Sequence, residues 1–346
     1  MLKKIVISFL ILSLAIGGYV GYQYYLKIYK PNVVLKNGKS QAELFIPTGS
    51  DFEQVKEILV KHHFIEDEAS FEWVAQKKNY INKVKPGRYI IKKGMNNNEL
   101  VNLLRSGAQT PVKVSFHNIR FKEELAGVIA KQIEADSVSL IQLLNDEDLA
   151  RKYGFNKETF ITMFIPNTYE MYWNTSAQEF VERMAKEYKA FWNDERKAKA
   201  RKLGLSQSEV TILASIVQAE QNVKTDEQPV VAGLYLNRLK RNMQLQCDAT
   251  LKFANKAYDV QRVLDSDKKI DSKYNTYKYT GLPPGPINLP EINAIDAVLN
   301  AKEHNYLYMC AKEDFSGYHN FTSSYNQHLR NAKKYQAELN KRKIYR

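Results

Sequence analysis

From Ile5 to Leu26 the chain carries no charged residue, and two lysines, Lys3 and Lys4, stand before that run. About 20 apolar residues in a helix cross the ~30 Å hydrocarbon layer of a bilayer, so this run alone predicts a single membrane span. Lysines flanking a span favour the cytoplasmic side, which sends the rest of the chain outward, and the aromatics from Tyr19 to Tyr25 suit the far interface. The competing reading is a cleaved signal peptide, with Ile5–Ile16 as its apolar core and Ala15-Ile16-Gly17 as the cleavage site. A retained anchor is favoured, because the uncharged run continues past that site. No cysteine follows the run, which argues against a lipoprotein. Either reading places the body of the protein outside the cytoplasmic membrane.

The 346 residues suit two or three domains, and the apolar and aromatic content is ample for packed cores. The formal charge of +13 favours an anionic partner. Nucleic acid is not expected to be that partner: no zinc-finger spacing, base-reading basic helix or RNA-binding aromatic signature is present, and the topology is outward. Cys247 and Cys310 are too few for a disulfide scaffold and are read as a pair or as two free thiols. The histidines at 62, 63, 117, 304, 319 and 328 make no zinc pattern with them, so no metal is expected. Nucleotide-binding glycine fingerprints and a Gly-x-Ser-x-Gly elbow are missing too, and no cofactor is expected.

Five segments follow from the patterning: an anchor (1–26), a short tether (27–40), a strand–helix–helix–strand module (41–108), a connecting α+β stretch (109–157) and a motif-rich α+β region (158–346). In the module, Ser50 with Glu53 reads as a capping box opening a helix, and Gly107 as the stop of another. In the last region, Ser206 with Glu209 is a second capping box, which predicts a helix from Ser206 to Glu220. A second helix follows with Pro229 in its first turn and carries Asn237 and Arg238.

Glu220 is the residue with most chemical content. Leu213, Ile216 and Val217 lie seven, four and three positions before it, so its carboxylate shares the apolar face of the helix. A carboxylate so placed is costly to ionise, and its raised pKa suits a general acid near neutral pH. The polar loop "QNVKTDEQ" after it leaves the helix end open to a cleft. Gln246, Asp248 and Thr250 stand in a segment too polar for core. Tyr274–Pro290, "YNTYKYTGLPPGPINLP", combines Asn275, Tyr277 and two further tyrosines with a proline-stiffened loop, which can hold flat aromatic faces against sugar rings. His319 lies in a turn near the carboxyl-terminal helix. One carboxylic acid in an aromatic, polar, outward-facing groove points to cleavage of a polysaccharide.

These motifs resemble the MltG (YceG-like) family of membrane-anchored endolytic peptidoglycan transglycosylases. The matching segments are "FIPNTYEMYW" (164–173), "LASIVQAEQ" (213–221), "VAGLYLNRLKRNMQLQCDATLKFA" (231–254), Tyr274–Pro290 and "YLYMCAKEDFSGYHNFTSSYNQH" (306–328), with "KPGRYIIKKGMNNNELVNLLRSG" (85–107) and the anchor fitting as well. The resemblance spans nearly the whole chain in the family's order. It implies an α+β protein with an N-terminal transmembrane helix, a LysM-like βααβ module over 41–108 with a glycan-binding role, and a mixed α+β catalytic domain. It also implies that Glu220 is catalytic. The first acidic position of the family's "SIVEKE"-like segment falls on Gln218, which cannot act as an acid, and "LQTDPT" reads "LQCDAT" here, with Cys247 and Ala249 departing. Glu170, Gln246, Asp248, Thr250, Asn275, Tyr277 and His319 are candidate substrate-binding residues. The implied reaction cuts the β-1,4 bond between N-acetylmuramic acid and N-acetylglucosamine in nascent peptidoglycan, leaves 1,6-anhydromuramyl ends and ends glycan elongation. Glycan strands and the cytoplasmic membrane are the expected partners, with cell-wall synthesis proteins as further candidates. The alternative is a non-catalytic peptidoglycan-binding or cell-wall synthesis scaffold.

Overall fold

The structure is a computed structural model and describes residues 2–36, 38–258, 260 and 263–344. Met1 of the expected anchor, Asn37 of the expected tether, and residues 259, 261–262 and 345–346 of the last expected segment lie outside them. The architecture is mixed α+β, and the chain divides into two compact units.

The first unit contains residues 1–114, 131–135 and 169–176. It opens with α1 (Leu2–Tyr29), 28 residues long and apolar enough by length and composition to cross a bilayer; none of its apolar window is buried. Next come β1 (Gln41–Ile46), α2 (Phe52–Lys61), α3 (Glu68–Lys77), β2 (Gly87–Lys92) and α4 (Asn97–Ser106). β1 and β2 pair antiparallel from Gln41↔Lys92 to Ile46↔Gly87. Alternation turns Leu44, Ile46, Tyr89 and Ile91 inward onto Val55, Leu59, Phe71 and Leu100 of the helices. The cap of α2 sits one residue later than the sequence suggests. Asp51, not Ser50, accepts from Gln54 N at 2.9 Å, while the Gln54 side chain returns to Asp51 N at 3.0 Å. The shift makes Phe52 the first helical residue and buries it. α4 stops at Gly107 in the left-handed region (φ 72°), as the sequence predicts.

The chain after α1 is closely held. Pro31 and Val33 bridge to Asn96 and Ile65. Buried Asn32 accepts from Asp67 N and donates to Asn97 Oδ1, and Asn97 in turn donates to Ser70 and to the Lys27 carbonyl. The end of the apolar helix is therefore fastened to α3 and α4 by buried amides whose hydrogen bonds are satisfied within this network.

The second unit contains residues 115–130, 136–168 and 177–346; the boundary falls within β3 (Val112–Phe116) and, further on, within β4 (Asn167–Met171). Its elements are α5 (Lys122–Ala130), α6 (Ser137–Asn145), α7 (Glu147–Lys152), β4 (Asn167–Met171), α8 (Ala177–Phe191), α9 (Asp194–Leu203), α10 (Gln207–Glu220), α11 (Gln228–Lys240), α12 (Asp248–Ala254), α13 (Ile292–Leu299), β5 (Tyr308–Ala311), β6 (His319–Thr322) and α14 (Tyr325–Lys341). β3 pairs with β4, and β5 with β6. α10 starts at the Ser206–Glu209 capping box, and every residue from Val210 to Val217 is buried. Such a helix belongs at the centre of a core, and α9, α11, α12 and α13 pack around it. The Tyr274–Pro290 loop is tied to the same helix: Ile287 N donates to Ser215 Oγ and Asn288 Nδ2 to Ser215 O, both at 3.1 Å.

Candidate active site

α10 ends on Glu220, where its buried face meets a cleft. One side of this cleft, about 530 Å³, is lined by Glu220, Tyr235, Arg238, Gln246, Asp248, Lys268, Tyr277, Cys310 and His319, among others. The other side, about 450 Å³, is lined by Asn118, Arg120, Gln218, Glu220, Asn222, Asp248, Lys252, Phe253, Tyr258 and Asn288, among others. Glu220 and Asp248 belong to both. A larger cavity, about 700 Å³, lies in the first unit beside β1, with Phe45, His62, His63 and Phe64 on its walls. It is the roomier of the three, but among its lining residues the acid is Glu43, which is engaged by Arg88. The carboxyl of raised pKa lies instead in the cleft at Glu220.

Glu220 keeps part of its surface open to the cleft. Burial of its carboxyl raises its pKa, and the negative charge of Asp248 pushes the same way. A hydrogen bond from Cys247, the nearby His319 and a hydrogen bond from Tyr235 oppose the rise without cancelling it. Burial holds the Cys247 thiol and the Tyr235 phenol well above their ordinary pKa values, and the charge of Glu220 adds to this, so both stay protonated donors.

The backbone around the cleft is set by a chain of polar contacts. Cys247 N donates to Thr276 Oγ1 at 3.0 Å, Thr250 Oγ1 donates to Cys247 O at 2.7 Å, and the two threonine hydroxyls share a 2.7 Å bond. Cys247 is thus held at the start of α12 with its thiol inward. Arg238, also buried, donates to the carbonyls of Leu307, Gln244 and Leu245 and to Gln246 Oε1. That clamp shapes the turn in which Gln246 takes a positive φ of 51°. Tyr277 donates to Asp248 Oδ1 at 2.6 Å, and burial first, then Asp248, raises its phenol pKa.

His319 is not in a turn: it starts β6, paired with Ala311 of β5. Behind it lies Glu227, buried in a single 3-10 turn ahead of α11. The Glu227 carboxylate accepts from His319 N at 3.0 Å and Gln221 Nε2 at 2.7 Å, and meets His319 Nδ1 at 2.7 Å. Nδ1 is therefore committed, which leaves Nε2 for the cleft. The segment 221–228 is polar in composition, and its middle, Asn222, Val223, Thr225 and Asp226, is exposed while its ends are not. Gln221, Glu227 and Gln228 are buried because the chain folds back and satisfies them internally.

The sequence candidates thus divide. Glu220, Gln246, Asp248, Tyr277 and His319 meet in the cleft. Thr250 and Asn275 are fully buried behind it: Asn275 donates to Lys268 O and Ile270 O and accepts from Tyr277 N, so it shapes the loop that presents Tyr277. Glu170 is exposed on β4, in the first unit, and is not among the residues lining the cleft. Gln218, which stands at an acidic position of the family pattern, accepts from Glu291 N at 2.7 Å. Glu227, Gln221 and Tyr235 were not singled out from sequence; only Glu227's place beside a helix start hinted at a role. Cys247 and Cys310 are free thiols. Among the described residues, no group of three or more His, Cys, Asp or Glu is placed to hold a metal ion.

A model of the YceG-like family matches residues 44–334. A protein of Bacillus subtilis (strain 168) named endolytic murein transglycosylase is 29% identical over 325 residues, a match taking in 89% of this chain and 89% of that protein. A protein of the same name from Streptococcus pneumoniae (serotype 2, strain D39) is 28% identical over 350 residues, with 89% of this chain matched to 61% of the pneumococcal one. A crystal structure of a YceG-like protein from Listeria monocytogenes shares the fold, with a TM-score of 0.54 at 22% identity over 85% of this chain and 99% of that one.

Proposed function

The chain belongs to the YceG-like family, and from that premise we propose that it is a membrane-anchored endolytic murein transglycosylase with Glu220 as its catalytic acid and base. The observation that carries this reading is one carboxyl of raised pKa shared by both sides of a cleft. Room on both sides of the acid suits a strand that passes through and is cut internally.

The chemistry needs only that group. Protonated Glu220 donates to the oxygen of the β-1,4 bond between N-acetylmuramic acid and N-acetylglucosamine. As C1–O4 breaks, positive charge develops at the muramyl C1 and O5. The Glu220 carboxylate then takes the proton of the muramyl C6 hydroxyl, whose oxygen bonds to C1. The products are a 1,6-anhydromuramyl end and a free 4-hydroxyl on N-acetylglucosamine, and the acid returns to its starting state. Asp248, held by Tyr277, adds negative charge near the developing cation. His319 is positioned by Glu227, and Gln246 presents a polar side chain at the same wall. α1 keeps the enzyme in the cytoplasmic membrane with its second unit outside, near newly made strands, where cleavage ends their growth. The β-α-α-β portion of the first unit serves as a LysM-like glycan-binding module, with the cavity beside β1 as its groove.

The specific alternative is a hydrolase. Asp248 lines the same cleft, and a pair of carboxylates is the usual equipment for hydrolysing glycosides. Mass spectrometry of digested peptidoglycan separates the two. Anhydromuramyl ends are expected, and Glu220→Gln lowers their formation by at least about 100-fold while glycan binding persists. Reducing muramic acid ends would replace the transglycosylase reading with a hydrolase. Binding without cleavage, unaltered by Glu220→Gln, would replace both with a wall-binding scaffold.

A further inference from the structure

We propose that the outer end of α1 and the adjoining face of α3 form one contact surface for anionic phospholipid headgroups, which seats the first unit directly on the bilayer. The inference rests on reading α1 as a retained span, and uses contacts within that unit alone.

A span of about 20 residues that starts at the first uncharged position, Ile5, ends at Tyr24. Tyr24 is the residue whose ring stacks on Trp73 of α3, with centroids 5.2 Å apart and planes 25° from parallel. Trp73 therefore lies at the edge of the hydrocarbon layer, where indole rings are favoured. Lys27 stands three residues further along, about 5 Å higher at 1.5 Å per residue. Its Nζ lies 5.5 Å from the Trp73 ring centroid, and Lys77 Nζ lies 5.8 Å from the same centroid. Two ammonium groups thus lie within reach of an indole at the hydrocarbon edge, and Lys27, three residues beyond Tyr24, stands on the side of the phosphate groups.

The helix has little freedom to swing away from α3, because Asn97 Nδ2 holds the Lys27 carbonyl at 2.9 Å from within the core. Charge agrees with position. The acids of α3 that form ion pairs, Glu68 and Glu72, turn to Lys56 of α2, and no described carboxylate pairs with Lys27, Lys30 or Lys77. Tyr22, Tyr25 and Tyr29, spread over about 10 Å of the outer end of α1, stay about half exposed, as in an aromatic girdle. Cations left unpaired beside an interfacial indole complement anionic lipid.

The test uses the full chain reconstituted into vesicles of phosphatidylcholine and phosphatidylglycerol, with a quencher spin-labelled at the headgroup. Part of the tryptophan emission is expected to be quenched, and Trp73→Phe to remove that quenched part. Lys27→Gln with Lys77→Gln, or vesicles of phosphatidylcholine alone, should reduce the quenching at least twofold. If the chain resists an alkaline wash yet Trp73→Phe leaves quenching unaltered, the headgroup surface is refuted while the anchor stands. Quenching that is equal in both vesicle types and insensitive to the lysine changes refutes the anionic preference. A chain that washes off refutes the anchor and, with it, this surface.

Discussion

At Glu220 two influences favour the protonated acid, burial and the charge of Asp248, and three favour the carboxylate: Cys247, His319 and Tyr235. A thiol is a weak hydrogen-bond donor and a hydroxyl a stronger one, so position 247 sets part of this balance through a single atom. In the proposed mechanism cleavage starts from protonated Glu220, so activity is expected to fall as pH rises through the raised pKa of that group. Cys247→Ala removes a donor that favours the carboxylate; the pKa rises and the alkaline limb of kcat/KM moves up. Cys247→Ser supplies a stronger donor; the pKa falls and the limb moves down. A pH–rate profile of the three proteins checks the order Ala above Cys above Ser. Coincident limbs would mean that the buried thiol only fills space. From sequence, Cys247 is visible as one of two cysteines and as a departure from a family pattern, but nothing local in "LQCDAT" shows that its thiol reaches a residue 27 positions earlier.

Among the elements, legibility follows how local the determining interactions are. The start of α10 and the stop of α4 were readable because a capping box and a left-handed glycine act within a few residues. α12 was not, because Cys247 at its N-cap makes no side-chain cap bond and the helix is only 7 residues long. β6 was missed because four residues become a strand only by pairing with β5. Tertiary packing also sets the tolerance of α11. A β-carbon on Gly233 would press on Lys302 O and lie 2.7 Å from His304 Nε2. That neighbouring segment cannot easily yield: Lys302 N donates to Pro229 O, His304 Nε2 meets Val230 O, and Asn237 Nδ2 donates to His304 O. Alanine favours a helix over glycine by about 1 kcal/mol, whereas overpacking costs about 1–3 kcal/mol. With a backbone oxygen as the obstacle, the clash wins. Gly233→Ala is expected to lower stability by a net of up to ~2 kcal/mol, read as a lower urea midpoint at unchanged slope. An unchanged or raised midpoint would show that the 302–304 segment gives way freely.

Over the whole molecule, charge was legible from the sequence while its placement was not. The excess of +13 could have been spread evenly, but the cleft receives Arg120, Lys252 and Lys268 on its walls. Arg120 stacks its guanidinium 4.0 Å above the Tyr258 ring, and Lys268 lies 5.1 Å from the Tyr277 ring centroid. These cations border a site whose proposed substrate is a neutral sugar backbone bearing carboxylates only on its peptide or lactyl substituents. Attraction between exposed charges is screened over about 10 Å at 0.1 M salt and about 3 Å at 1 M, whereas stacking and hydrogen bonding to the sugars are far less affected. Raising the salt concentration over that range should therefore increase KM several-fold for peptidoglycan strands that carry their carboxylates and leave kcat nearly constant. Strands with methyl-esterified carboxylates should show a flat KM. Arg120→Ala should weaken the salt dependence on the charged substrate, costing up to about fivefold in KM at low salt, in line with ~0.2–1 kcal/mol for an exposed ion pair. If esterified and native strands respond to salt alike, the cations serve solubility or the membrane rather than the strand, and recognition lies in the sugar-facing groups alone.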